Sequence, residues 1–217
     1  MKLRRRALLG HCSALVLLAG GASVAALAAA PKRKTVLVLG DSLSAEYGLA
    51  RGSGWVALLG ERLAREKRPV AVVNASISGD TTAGGRTRLP SLLAQHRPDI
   101  VIVELGANDA LRGLPLAMTR ANLLAMTQAA RAAGAAVVLV GMQVPPNYGK
   151  TYGDEFAALF GEVAKSEQAG LVPFLLAGVA DAPQAESLFQ NDRLHPTQAA
   201  QAALLDNVWP VLAPLLR

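Results

Sequence analysis

The chain has 217 residues, 52% of them hydrophobic and 18% charged. That is enough apolar material to bury one sizeable core, and it argues against disorder. The net charge of +6 and a pI near 9.9 point first to a phosphate-bearing partner. The distribution of charge removes the main support for that reading. Lys2, Arg4, Arg5 and Arg6 lie in the first six positions, no acid occurs among the first 28, and the rest of the chain carries only +2. No nucleic-acid partner is expected.

The N-terminus has three parts. Positions 1–6 are cationic, 7–27 carry no charged side chain and are rich in Leu, Val and Ala, and Ala26-Leu27-Ala28 forms an A-x-A site before Ala29. This is the build of a secretory signal peptide over 1–28, which leaves a mature domain over 29–217 and a periplasmic or secreted location. Arg5-Arg6-Ala7-Leu8-Leu9 also resembles a twin-arginine signal. The alternative is a retained anchor, since 7–30 is long enough to span a bilayer. Its Gly, Ser and Ala content weighs against that. Cys12 follows His11, where a lipoprotein site requires a small residue, so lipidation is rejected. Cys12 is the only cysteine, and cleavage would leave no thiol and no disulfide.

Beyond the leader, five short apolar runs recur at 35–39, 70–73, 100–103, 136–140 and 171–174. Continuous apolar runs of this length are the mark of strands buried on both faces. Helical spacing fills the intervals: Trp55, Leu58, Leu59 and Leu63; Leu89, Leu92 and Leu93; Leu123, Leu124 and Met126; Phe156, Leu159, Phe160 and Val163. Ala203, Leu204, Val208 and Leu212 close the chain in the same way. The alternation predicts an α/β fold with a parallel sheet between layers of helices and right-handed crossovers. Sites in such sheets form at the carboxyl ends of the strands.

After the first run comes Gly40-Asp41-Ser42-Leu43-Ser44, which sets a hydroxyl at a strand end. Simple helix capping by Asp or Ser explains it equally well. It is not a G-x-S-x-G elbow, because position 44 is Ser. After the second run, Gly79 in Ser78-Gly79-Asp80-Thr81 can expose its N–H to a ligand; an ordinary turn with Asp80 or Thr81 as N-cap is the competing reading. After the third, Gly106-Ala107-Asn108-Asp109 brings the Asn108 amide to the same edge, again with capping as the alternative. Asp41, Asp80 and Asp109 together raise the thought of a metal site, but metal-loop spacing is missing. After the fourth run, Val144-Pro145-Pro146-Asn147-Tyr148-Gly149 reaches the edge as a loop stiffened by two prolines. Near the C-terminus, Asp192 lies three residues before His195, and Pro196 is placed to start the last helix. A carboxylate at that distance can hold one imidazole nitrogen and leave the other free as a base. His96 falls at the opposite edge and is read as a surface residue.

Gly40-Asp41-Ser42-Leu43, Gly79, Gly106-Ala107-Asn108-Asp109 and Asp192-Arg193-Leu194-His195-Pro196 resemble the successive blocks of the GDSL or SGNH hydrolase family. "LGDSLSAEYGL", "VVNASISGDTT", "VELGANDALRG" and "PPNYGKTY" are similar to its bacterial periplasmic thioesterase I, arylesterase and lysophospholipase subgroup. The resemblance implies a flavodoxin-like three-layer α/β/α sandwich with a five-stranded parallel sheet. It implies Ser42 as nucleophile, His195 as general base and then acid, and Asp192 as the residue orienting His195. It also implies an oxyanion hole made by the N–H groups of Ser42 and Gly79 and the side chain of Asn108. No cofactor or metal is implied. The substrate would be a small acyl ester or thioester. Leu111, Val144, Pro145 and Tyr148 are candidates for contacting it, with simple packing as the alternative for Tyr148. Pro146 stands where the subgroup often has Ala. The mature domain is expected as a monomer or weak dimer without stable membrane insertion. The competing readings are a carbohydrate acetylesterase of the same family and a non-enzymatic flavodoxin-like binding domain. Against the latter, the strand-end blocks hold neither a G-x-x-x-x-G-K-[ST] loop nor a G-x-G-x-x-G turn.

Overall fold

The computed structural model describes residues 33–217. The signal peptide expected over 1–28, with its A-x-A site and Cys12, lies outside the described residues. All five apolar runs form strands: β1 (Lys34–Gly40), β2 (Val70–Asn74), β3 (Ile100–Glu104), β4 (Ala136–Val140) and β5 (Gly170–Val172). They make one parallel sheet in the order β2-β1-β3-β4-β5. Val36 to Leu39 and Ile100 to Val103 are buried on both faces, which is why their sequences run apolar instead of alternating. The fifth strand is shorter than predicted. Pro173 has no N–H to continue the ladder, so β5 stops at Val172 and Phe174 turns away at the strand end.

Helices cover both faces. α1 (Trp55–Arg65) packs on the last helix, here α7 (Gln201–Leu212), on one side. On the other, α2 (Thr82–His96), α4 (Leu116–Ala132) and α5 (Lys150–Glu167) pack in succession; the short α3 (Ala107–Leu111) and α6 (Ala185–Leu188) belong to the connections. Each long helix buries a predicted face: Trp55, Leu59 and Leu63 on α1, Leu89 and Leu93 on α2, Phe156 and Phe160 on α5. Thr81 is the N-cap of α2, its hydroxyl accepting from the Gly84 N–H at 3.3 Å. Pro196 does not start the last helix. It pairs with Phe189 in an antiparallel bridge, and helical structure begins with the 3₁₀ turn Gln198–Ala200 after Thr197. The segment 198–216 is long and apolar enough to cross a membrane, and its Leu204, Val208 and Leu212 are fully buried in the core.

The β4 end is tightly fixed. The Gly141 N–H donates to the Val172 carbonyl at 2.8 Å, and the Leu175 N–H donates to the Gly141 carbonyl at 3.0 Å. A Cβ on Gly141 would lie 2.3 Å from the Pro173 carbonyl oxygen, a backbone atom that cannot swing aside. Gly141→Ala is expected to destabilise the protein by about 1–3 kcal/mol, read as a lower urea midpoint. An unchanged midpoint would show that the β4–β5 ends are more loosely joined than described.

Candidate active site

Parallel strands send their C-terminal ends to one edge, and the sheet order reverses between β1 and β3. A crevice forms outside that reversal. The turn after β1 closes with the Ala45 N–H donating to the Asp41 carbonyl at 2.9 Å, which leaves Ser42 at the crevice. His195 Nε2 lies 2.9 Å from Ser42 Oγ, and His195 Nδ1 lies 2.7 Å from Asp192 Oδ2. Residues 153 positions apart thus meet in one relay.

The Asp192–His195 spacing works through a local turn. Asp192 Oδ1 accepts the Leu194 N–H at 2.9 Å and the His195 N–H at 3.0 Å, an Asx-type arrangement. The His195 backbone N–H, then the Leu194 N–H and the His195 ring, lower the Asp192 pKa to about 2 against partial desolvation. Asp192 is ionised at neutral pH. Two cross-links hold the turn in place: the Gln190 N–H donates to the His195 carbonyl and the Thr197 N–H to the Leu188 carbonyl, both at 2.8 Å. This is the physical reason Pro196 sits in a bridge and not in a helix. Tyr47, half exposed, packs its ring 4.3 Å from the His195 ring, tilted by 37°.

Three donors named from the sequence reach the same edge. Neither the Ser42 nor the Gly79 N–H has an acceptor among the described residues. Gly79 has φ +79°, a conformation that suits glycine, and its carbonyl accepts from Arg112 at 2.8 Å. Asn108 lies in α3 directly after β3. Its Nδ2 donates to Asp41 Oδ2 and to the Asp80 carbonyl, each at 3.0 Å.

Two carboxyl groups lie under the Ser42 turn. Burial pushes the Asp41 pKa up to about 6, with the Leu43 N–H, His195 and Asn108 pulling it back. Burial, and then the nearby Asp41, push Glu104 well above the usual carboxylate range. Ser44 donates to Glu104 at 2.7 Å, and Trp55 Nε1 donates to Ser44 at 3.2 Å. The three aspartates weighed as a metal site point to separate partners. Asp80 pairs with Arg88 at 2.6 Å, Asp109 accepts from the Thr82 N–H at 2.8 Å and from its hydroxyl, and Asp41 faces Asn108.

A cavity of about 500 Å³ opens on Ser42, Asn108 and His195. Leu111, Val144 and Pro145 line it, as does Pro146. Tyr148 does not. The 3₁₀ turn Pro146–Tyr148 carries its ring out of the lining to stack on Tyr152 at 6.3 Å, and its hydroxyl approaches the Leu111 carbonyl at 3.5 Å. Tyr148 therefore packs behind the wall that Leu111 provides. Sequence reasoning missed Met142, Phe174, Leu176, Phe189 and Leu194, which complete the apolar lining. The strand-end rule applied to β4 and β5 would have found the first three. Phe189 and Leu194 enter through the bridge beside His195, for which the sequence carries no local signal.

Comparison with known proteins agrees with this geometry. The model of the GDSL-like Lipase/Acylhydrolase family matches residues 38–203. Esterase TesA of Pseudomonas aeruginosa is 51% identical over 212 residues, 98% of this chain and 100% of that protein. Thioesterase 1/protease 1/lysophospholipase L1 of Escherichia coli is 41% identical over 182 residues, 84% of this chain and 85% of that protein. The crystal structure of TesA superposes with a TM-score of 0.80 at 53% identity, covering 84% of this chain and 99% of that one. The strand order, the Ser42–His195–Asp192 relay and these matches lead to one conclusion: the chain belongs to the GDSL-like lipase/acylhydrolase family and is a hydrolase of ester bonds.

Proposed function

We propose that this protein is an exported serine esterase that hydrolyses short to medium acyl esters and thioesters through an acyl-enzyme on Ser42. The observation that carries the reading is the 2.9 Å approach of His195 Nε2 to Ser42 Oγ at the mouth of an apolar cavity. A serine hydroxyl is a weak nucleophile until a base takes its proton. His195 is placed to do so, and ionised Asp192 holds the ring with Nε2 toward Ser42 and stabilises the imidazolium that forms. Attack on the acyl carbonyl puts negative charge on its oxygen. The free N–H groups of Ser42 and Gly79 receive that charge, joined by the Asn108 amide as one of its hydrogens exchanges the Asp80 carbonyl for the oxyanion. His195 then gives its proton to the departing alcohol or thiol, and a water activated by His195 releases the acid.

The lining supports the substrate class. Leu111, Val144, Pro145, Met142, Phe174 and Phe189 offer apolar contact to an acyl chain. A site built for acetyl groups on sugar would need less apolar volume and more hydrogen-bonding groups, so the carbohydrate acetylesterase reading is the weaker one. The Escherichia coli relative is named both thioesterase and lysophospholipase, and the chemistry assigned to Ser42 needs only an acyl carbonyl. Export rests on the charge pattern and A-x-A site of the leader.

Nitrophenyl esters and acyl-CoA thioesters of graded chain length test the reading. The protein is expected to favour butyryl-to-octanoyl chains over acetyl, and Ser42→Ala to lower kcat by a factor on the order of 10⁴ to 10⁶. Equal rates for the two proteins would reject Ser42 as nucleophile. For export, Edman sequencing of protein from the culture periplasm is expected to begin at Ala29; an intact residue 1 would reject cleavage.

A further inference from the structure

Asp41 has no step in the mechanism above, yet it sits beside Ser42 with only 1% of its surface exposed. A buried carboxylate is unfavourable unless donors surround it. Here each oxygen has one: Oδ1 accepts the Leu43 N–H and Oδ2 accepts Asn108 Nδ2, both at 3.0 Å. Both partners are donors only, so the site calls for two acceptors. A carboxylate supplies them and an amide cannot. An Asn at position 41 would set an N–H against either Leu43 or Asn108.

The Asn108 amide is thereby fixed from two sides. One hydrogen points to Asp41 and the other to the Asp80 carbonyl. This sets the nitrogen, not the oxygen, beside the crevice. An amide turned the other way would present a carbonyl to the developing oxyanion, and a donor would become a repulsion.

We infer that Asp41 is a positioning residue for hydrolysis: its carboxylate, anchored by the Leu43 N–H, keeps one Asn108 hydrogen and holds the amide nitrogen toward the crevice, so that the hydrogen given to the Asp80 carbonyl at rest turns to the oxyanion as it forms. The inference rests on the reading of Asn108 as an oxyanion donor. It also sets a sign. A carboxylate this close to the reacting oxygen opposes negative charge there, so electrostatics alone would make hydrolysis faster when Asp41 is neutralised. Positioning makes it slower.

A double-mutant cycle on a water-soluble nitrophenyl ester decides the matter. Asn108→Ala is expected to lower kcat by about 10²–10³. Asp41→Asn is expected to lower kcat at least about 10-fold with KM within about 2-fold, and to change kcat by less than about 2-fold once Asn108 is Ala. Asp41→Ala, which removes both acceptors without a donor conflict, is expected to follow the same pattern and keeps the test open if Asp41→Asn folds poorly. Wild-type or faster hydrolysis by the Asp41 variants, with Asn108→Ala slow, overturns the inference and leaves the oxyanion reading standing. The same loss in both backgrounds also overturns it, since Asp41 then acts through His195 or the fold. Full activity of Asn108→Ala overturns the oxyanion reading itself.

Stability against pH supplies a second readout. The Asp41 pKa is raised from 3.8 to about 6, so the folded protein holds a proton that the unfolded chain has lost between those values. Folding stability from this group therefore falls as pH rises from about 4 to 6. The charged and titrating groups facing it are Glu104, His195 and Asp80. Asp41→Asn is expected to flatten this part of the Tm profile. An unchanged slope would mean that Asp41 titrates alike in the folded and unfolded chains, its two donors offsetting its burial, and would overturn the raised pKa while leaving the two-acceptor argument standing.

Discussion

The reversal of strand order between β1 and β3 is the constraint on which the rest of the site depends. The chain adds β2 on one side of β1 and then crosses to add β3 on the other. With every strand parallel, the ends of β1, β2 and β3 come together at one edge, and the connections leaving them diverge. Ser42, Gly79 and Asn108 leave those three ends. The register of Gly40 opposite Glu104, together with the Ile77 N–H donating to the Gly40 carbonyl at 3.0 Å, holds the ends level. The last connection then returns His195 from the far end of the chain to the same crevice.

Burial on both faces of the sheet makes the strands legible. Such strands need apolar residues at every position, so 35–39 and 100–103 stand out without alignment or periodicity. Strand-end blocks were legible because the topology sends all of them to one side. Assigning His195 and not His96 follows from the same rule, since α2 ends with His96 at the opposite edge. What escaped was set by distant contacts. Pro196 reads locally as a helix start, but Gln190 and Leu188 hold its neighbours in a bridge. Tyr148 reads locally as either a wall residue or simple packing, and a 3₁₀ turn settles it by carrying the ring onto Tyr152. Phe189 reaches the cavity only because that bridge folds back beside His195.

The site separates charge by depth. Asp192 is near the surface and held ionised by three donors. Asp41 and Glu104 lie beneath the nucleophile, where burial favours the neutral acid. Glu104 meets this by accepting from Ser44, which Trp55 holds in turn; Asp41 meets it by accepting from Leu43 and Asn108. Four of the six net positive charges lie among the first six residues, and the cavity is mostly apolar, which suits an uncharged acyl group.

The central claim is that His195 makes Ser42, and no other residue, reactive. Labelling with a fluorophosphonate followed by peptide mass mapping tests it most directly. The claim predicts a single adduct on Ser42 in the wild-type protein and labelling slowed by orders of magnitude in His195→Ala. An adduct on another residue, or labelling of His195→Ala at the wild-type rate, would contradict it.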